Sequence, residues 1–342
     1  MIFSSDNTAP ASPEIAEAVL RASTGPALPY GADDHSASVR RRLADLFERD
    51  VDVLFVSSGT AANALSLATL TPPWGSVLCH RESHINNDEC GAPEFYTAGA
   101  KLVPLGGADA KIDPAELRTA VRHKTGDVHS VEPSVVSVTQ ATETGAVYTP
   151  DELAELGTIT KDAGLRLHVD GARFAGAVAS LGRTPAELTW KAGVDLLSFG
   201  ATKNGTMTAD AIVVFDRSLT AELAFRGKRA GQLTAKMRFQ AAQLDAYLAD
   251  GLWLRNAAHA NTMAARLEDG LKAIPGVELL GAADANILFV RFPQEVIDGL
   301  LAEGFVFYHD RWGTGVVRLV TSFATTEGEI DALLKAAARL AG

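Results

Sequence analysis

The chain has little cysteine. Cys79 and Cys90 are the only two in 342 residues, and neither sits in a CxxC pair. Structural zinc usually needs four ligands with such spacing, so no metal site is expected, and two reduced thiols are the natural reading. Long apolar runs are missing too: none approaches the 18 or so residues of a membrane span. The opening "MIFSSDNTAP" has neither a basic n-region nor a long apolar h-region. These absences lead to the expectation of a cytoplasmic protein with no membrane partner. Positive charge is also short, with 31 Lys and Arg against 42 Asp and Glu and a formal net charge of -11. A nucleic-acid partner is therefore not expected, because such binders need a basic footprint to displace counterions; a local basic pocket stays compatible with the composition. Repeats, low-complexity tracts, a Walker GxxxxGK[ST] run and a GxGxxG after a strand are all missing, which argues against ATP and NAD enzymes.

What is present is a sizeable core: 47% of the residues are hydrophobic, enough for two domains more naturally than one. The runs "VDVLFVSSG", "SVLCH", "KLVPL", "VVSVTQ", "LRLHVD", "VDLLSFG" and "AIVVFD" alternate with helical text. Strands in that alternation imply right-handed crossovers and a largely parallel sheet covered on both faces, an α/β fold. Thr149 and Pro150 mark a helix start and Gly164 its stop, and Thr326 with Glu329 has the spacing of a capping box. After residue 250 the text changes to long helices followed by "ANILFVRF", "FVFYHD" and "GVVRLVTSF". The expected division is a large domain over 1–250, with an N-terminal arm, and a small α+β domain over 251–342.

Ligands of open α/β sheets collect beyond the carboxyl ends of the strands, so polar residues there come first. In "LFVSSGTAANAL" a strand passes through Ser58, Gly59 and Thr60 into a helix, an arrangement that suits a phosphate and equally a simple cap and turn. "VDLLSFGATKNG" ends in Lys203, either a solvated loop lysine or a nucleophilic amine in a sheltered setting. "LRLHVDGARF" ends a buried strand on Asp170 and then presents Arg173. A buried carboxylate needs a cationic partner, which could be Arg173 or a pyridinium nitrogen. An acid for a ring nitrogen, a lysine to bond an aldehyde and a helix start for a phosphate are together what pyridoxal phosphate requires.

"FSSDNTAPASPEI", "YGADD", "SSGTAANAL", "SHINNDECGAPE", "LHVDGARF", "TKNG" and "VVRLVTS" resemble the low-specificity L-threonine aldolases, of the aspartate-aminotransferase-like pyridoxal-phosphate fold, over essentially the whole chain. "HVDGAR" is the most specific element; "DECGAPEF" and "GATKNG" are closer to a branch of phenylserine-type aldolases. The resemblance implies a seven-stranded large-domain sheet, Lys203 as the amine that bonds the cofactor, and Asp170 on its ring nitrogen. It implies Ser58, Gly59, Thr60 and the hydroxyl of Thr202 at the phosphate, with Lys228 or Arg238 lending a cation across a subunit interface. His84 would stack on the ring and, as a neutral imidazole, take a proton from the substrate's β-hydroxyl; His129 is a second candidate for that proton. Arg173 and Arg318 would clamp the substrate carboxylate, Arg173 also meeting the cofactor's ring hydroxyl, with Ser5 from the N-terminal arm. Tyr30 and Asp33 belong to a substrate-side loop, donated in the family by a neighbouring subunit of a dimer or tetramer. His168, two residues before Asp170 on the same strand face, is read as packing.

The implied reaction cleaves L-3-hydroxy-α-amino acids to glycine and an aldehyde. The same apparatus could instead serve β-elimination or transamination, and a non-catalytic cofactor-binding scaffold is the reading from a different class. The substrate's side chain and its Cβ stereochemistry are not legible.

Overall fold

The structure, a computed structural model, describes residues 1–281 and 283–342. All seven expected runs form strands: β1 (Asp52–Val56), β2 (Gly75–His80), β3 (Lys101–Leu105), β4 (Glu132–Thr139), β5 (Arg166–Gly171), β6 (Leu196–Phe199) and β7 (Asp210–Val214). They make one sheet in the order β1-β7-β6-β5-β4-β2-β3. Only β7 runs against its neighbours, so the carboxyl ends of β1 to β6 and the amino end of β7 share one edge.

Alternate residues along these strands feed two cores. Leu167 and Val169 of β5 and Val213 of β7 lie in one; Ile212 and Val214 of β7 lie in the other, under the helix Gly59–Leu70. The helix Pro150–Asp162 starts where Thr149 and Pro150 marked it, with a capping box of Thr149 and Glu152, and Gly164 follows it at φ +74°. Thr326 and Glu329 cap Glu327–Ala341 in the same way; each cap is worth about 1 kcal/mol. Phe47 packs its ring 6.2, 6.4 and 5.1 Å from those of Phe174, Phe199 and Phe215. This cluster pins the segment just after Arg173 to the end of β6.

Beyond residue 250 a separate antiparallel sheet forms from β8 (Glu278–Leu279), β9 (Ile287–Arg291), β10 (Tyr308–His309) and β11 (Val316–Val320), in the order β10-β11-β9-β8. It has its own core of Leu267, Val290, Leu319 and Leu333. The helices Arg238–Leu248 and Leu252–Lys272 are broken by Asp250 at φ 50° and Gly251 at φ 70°, where we propose the division between domains. The second of these helices gives Trp253 to the first core and Leu267 to the second. The N-terminal arm, grouped with the large domain by sequence, also pairs with the small sheet: Phe3 N–H donates to Val306 O and Phe3 O accepts from Val320 N–H. Among the described residues no helix is long and apolar enough to cross a membrane.

Candidate active site

At the shared strand edge lies a cleft of about 400 Å³ walled by Ser58, His84, Glu143, Asp170, Arg173 and Lys203, among others. Asp170 reaches it from the end of β5 and is only 3% exposed. Its Oδ1 accepts from Ala172 N–H at 3.0 Å and its Oδ2 from Asn63 Nδ2 at 2.9 Å. Among the described residues no cation pairs with it. Arg173, the alternative partner offered by the sequence, turns away and grips Asp6 through Nε and Nη2, both at 2.8 Å. A buried carboxylate left with neutral donors alone is costly, and this one suits a cationic nitrogen brought by a ligand.

Lys203 stands in a short 3-10 turn, Thr202–Asn204, just past β6. Because β7 runs in the opposite direction, its first residue, Asp210, meets that turn: Oδ1 accepts from Ala201 N–H, Thr202 N–H and Thr202 Oγ1 at 2.7, 3.0 and 3.1 Å. Gly200 lets the two chain segments cross, since a Cβ there would lie 2.6 Å from Ala172 O. Burial, then the Arg173 charge, pushes the Lys203 ammonium below its ordinary pKa, which favours the free amine.

Ser58 caps Gly59–Leu70 by accepting from Ala61 N–H at 3.2 Å, so Gly59 and Thr60 open the helix at the cleft wall, where N–H groups favour an anion. Gln232 Oε1 steadies this corner by accepting from Ser57 N–H and Oγ. One expectation for the phosphate needs correction. The Thr202 hydroxyl donates to Asp210, so it has no proton to offer. Arg238 donates to Gly25 O at 2.7 Å and Lys228 sits 5.2 Å over the Tyr30 ring; neither walls this chain's own cleft, which leaves the expected contact across a subunit interface as their route to a phosphate.

His84 and Asp170 are linked through a chain of hydrogen bonds. His84 Nδ1 lies 2.8 Å from Glu89 Oε1, and Asn63 Nδ2 bridges Glu89 Oε1 and Asp170 Oδ2. The hydrogen bond to Glu89 raises the His84 pKa against the effect of burial, so the neutral imidazole expected from sequence is disfavoured. Glu89 is itself raised, chiefly by burial. His129 is a correction. It precedes β4 and lies at the amino end of that strand, whose eight residues put about 23 Å, at 3.3 Å per residue, between it and the cleft. His168 shares the face of Asp170 and is fully buried, with Ser137 Oγ and Ser198 Oγ at 2.9 and 3.0 Å. Burial pushes its pKa down to about 4, leaving it neutral.

The proposed carboxylate clamp divides. With two nitrogens committed to Asp6, Arg173 offers its remaining edge only. Arg318, on β11, donates from Nη2 to Ser4 O at 3.1 Å, has no partner on its buried Nε among the described residues, and is flanked by the Tyr308 and Trp312 rings at 5.3 and 5.5 Å. Ser5 lies beside it in the arm, its Oγ accepting from Asn7 N–H. Asp33 is a helix cap, both its oxygens bonded to Ser36, and this occupation removes it from the site. Tyr30 is 51% exposed and outside this chain's cleft. Asn63, Glu89, Glu143 and Asp210 were missed; the one signal for them was a polar residue inside the apolar helix text "GTAANALSLATL".

Residues 3–293 match the Beta-eliminating lyase family. The chain is 44% identical to a low specificity L-threonine aldolase of Pseudomonas sp. (strain NCIMB 10558), over 97% of this chain and 95% of that one. It is also 44% identical to the low specificity L-threonine aldolase of Pseudomonas aeruginosa, over 94% and 93%. A solved structure of a Leishmania major threonine aldolase superposes with a TM-score of 0.93 at 32% identity, covering 100% of this chain and 99% of the other.

Proposed function

The chain belongs to the Beta-eliminating lyase family and groups there with the low specificity L-threonine aldolases; on that premise we propose that it is a pyridoxal-phosphate enzyme cleaving L-3-hydroxy-α-amino acids to glycine and an aldehyde. The observation that carries the cofactor is Asp170, a buried carboxylate with two N–H donors and, among the described residues, no ion pair. The residues present fit the group: Asp170 would hold its ring nitrogen, Lys203 its aldehyde carbon, and the N–H groups of Gly59 and Thr60 with Ser58 its phosphate. When bound, it supplies an aldehyde that bonds an amine and a cationic ring that accepts the electron pair released at Cα.

The chain's own residues do the rest. Arg318, with Ser5 and the open edge of Arg173, would hold the substrate carboxylate, and fixing it selects which bond at Cα is presented for cleavage. Lys203, whose ammonium form is disfavoured by burial, would move a proton at Cα. Asn63 ties Asp170 to Glu89 and so holds the acid in place. Tyr30 and Lys228, exposed and outside their own cleft, fit a role at a neighbour's site in a homodimer or homotetramer.

The test is to load the purified protein with pyridoxal phosphate and supply L-threonine, L-allo-threonine and L-threo-phenylserine in turn. Aldehyde and glycine in equal amounts are expected, and their relative rates name the preferred side chain. A keto acid and ammonia in their place would overturn the retro-aldol reading in favour of β-elimination.

A further inference from the structure

Glu143 belongs to no motif singled out in the sequence, yet it is held as firmly as any residue of the cleft. It sits in the loop after β4. The Gln140 side chain closes that loop at its base, accepting from Tyr148 N–H at 2.9 Å and donating to Tyr148 O at 2.8 Å. Thr142 N–H donates to Ala146 O at 2.8 Å and Gly145 N–H to Thr142 O at 3.0 Å. Gly145 packs against β9 so closely that a Cβ would lie 2.5 Å from Ile287 O. These contacts tie the loop at its base, across its turn and against β9.

Within it, Glu143 Oε1 accepts from Thr139 Oγ1 and from His84 N–H, both at 2.8 Å. Its Oε2 is shut off from solvent and has no hydrogen-bond partner among the described residues, although the residue stands in the cleft wall with Lys203, Asp170 and His84. No cation pairs with it among the described residues. The titratable groups around it are Asp170 and His84 on the cleft side, with Glu89 and Lys203 in the same walls, and the Cys79 thiol and Tyr148 hydroxyl behind.

We propose that Glu143 is the group that takes the proton of the substrate's β-hydroxyl. This rests on the aldolase reading and names the base that reading requires. The rival groups in the cleft are engaged: both oxygens of Asp170 accept N–H donors, and His84 is biased toward its protonated form by Glu89. Burial, then the Asp170 charge, pushes the Glu143 carboxyl up to about 7, and a base works best with a pKa near the operating pH. In the step, the O–H bond breaks and its proton passes to Glu143. The freed pair becomes the C=O π bond of the aldehyde, the Cα–Cβ pair passes to Cα, and Cα takes up a proton to give glycine. Aldehyde and glycine together contain every atom of the substrate, so no oxidant, reductant or water is consumed.

Glu143→Gln keeps an acceptor for Thr139 and His84 and removes only the basic site. In the enzyme loaded with pyridoxal phosphate it should lower kcat for threonine or phenylserine cleavage by about 10²- to 10⁴-fold with KM unchanged, and remove the acid limb that wild type shows in kcat against pH. Exchange of the glycine Cα hydrogen with deuterium oxide, followed by NMR, involves no hydroxyl and should proceed at the wild-type rate. Cleavage at the wild-type rate in the variant would overturn the proposal, and so would equal loss of cleavage and exchange, the pattern of a structural role. A wild-type enzyme that exchanges glycine but releases no aldehyde from any substrate would instead sink the aldolase reading itself.

Discussion

Nε and Nη2 of Arg173 each lie 2.8 Å from an oxygen of Asp6, a residue 167 positions earlier in the chain. The pair is nearly sealed from water, with side-chain exposures of 14% and 2%, and Asn286 adds a third donor to Asp6 at 3.0 Å. It ties the turn after β5 to the N-terminal arm and to the small sheet.

Breaking this pair on one side should be expensive. Asp6→Ala leaves a buried guanidinium without its partner, a loss of about 3 to 5 kcal/mol in denaturant unfolding, and the double variant Asp6→Ala/Arg173→Met should recover part of it. Burial raises the Asp6 pKa, but the Arg173 and Lys203 charges and the bonds from Arg173 and Asn286 outweigh it, and the carboxyl lies below its ordinary 3.8. A depressed carboxyl stabilises fully above its unfolded pKa and loses that contribution as pH falls through the folded one. The difference between wild type and Asp6→Ala should therefore be intact at pH 5 and fade only below pH 3.8.

Asp170 should separate activity from stability. On the proposed function, Asp170→Asn removes the charge that would face the cofactor's ring nitrogen, while the cofactor-free protein loses a buried carboxylate that no ion pair holds among the described residues. Cleavage should fall by several orders of magnitude, whereas the melting temperature without cofactor should stay level or rise. A lower melting temperature would mean that the Asn63 and Ala172 hydrogen bonds matter more than the buried charge costs.

Two buried groups should pull stability in opposite directions between about pH 4.5 and 6.5. His168 has its pKa depressed from 6.5 to about 4. The unfolded chain binds the proton first as pH drops, so the contribution of His168, complete above 6.5, is lost toward 4 and amounts to roughly 3 kcal/mol. Glu143 is raised from 4.5 to about 7; its protonated form favours the fold below 4.5, and that advantage disappears as pH rises through 7. Cofactor-free wild type should show a shallow dependence. His168→Gln should become less stable as pH rises across this range, and Glu143→Gln more stable, in urea melts.

The Lys203 turn depends on a residue with no catalytic signature. Asp210→Ala would strand the N–H groups of Ala201 and Thr202, at about 1 to 3 kcal/mol for each buried donor left unmet. The visible absorption of bound pyridoxal phosphate should then be lost on dialysis under conditions that spare wild type.

The large sheet was legible because buried strands must be apolar and must be bounded by turns. "LRLHVD" and "VDLLSFG" mark β5 and β6 in any setting, and their carboxyl ends pointed to Asp170 and Lys203. Helix starts such as Ser58, Thr149 and Thr326 were legible too, since a cap is a contact made within four residues. The two-residue strand β8 left no such trace, and His129 was misplaced because a loose match in sequence does not reveal which end of a strand a loop occupies. Glu89, Glu143 and Asp210 are ordinary acids in the sequence; what gives each its role is a partner 5, 59 and 9 residues away, brought to it by the folding of the loops and strand ends around the cleft. The same holds for Arg173. Its place beside Asp170 is fixed by a three-residue turn, but its pairing with Asp6 depends on where the N-terminal arm comes to rest. Local chemistry thus determined the strands, the caps and the two central residues of the site. The fold alone decided which charges face one another, because hydrogen bonds and burial act on distance in space and not on separation along the chain.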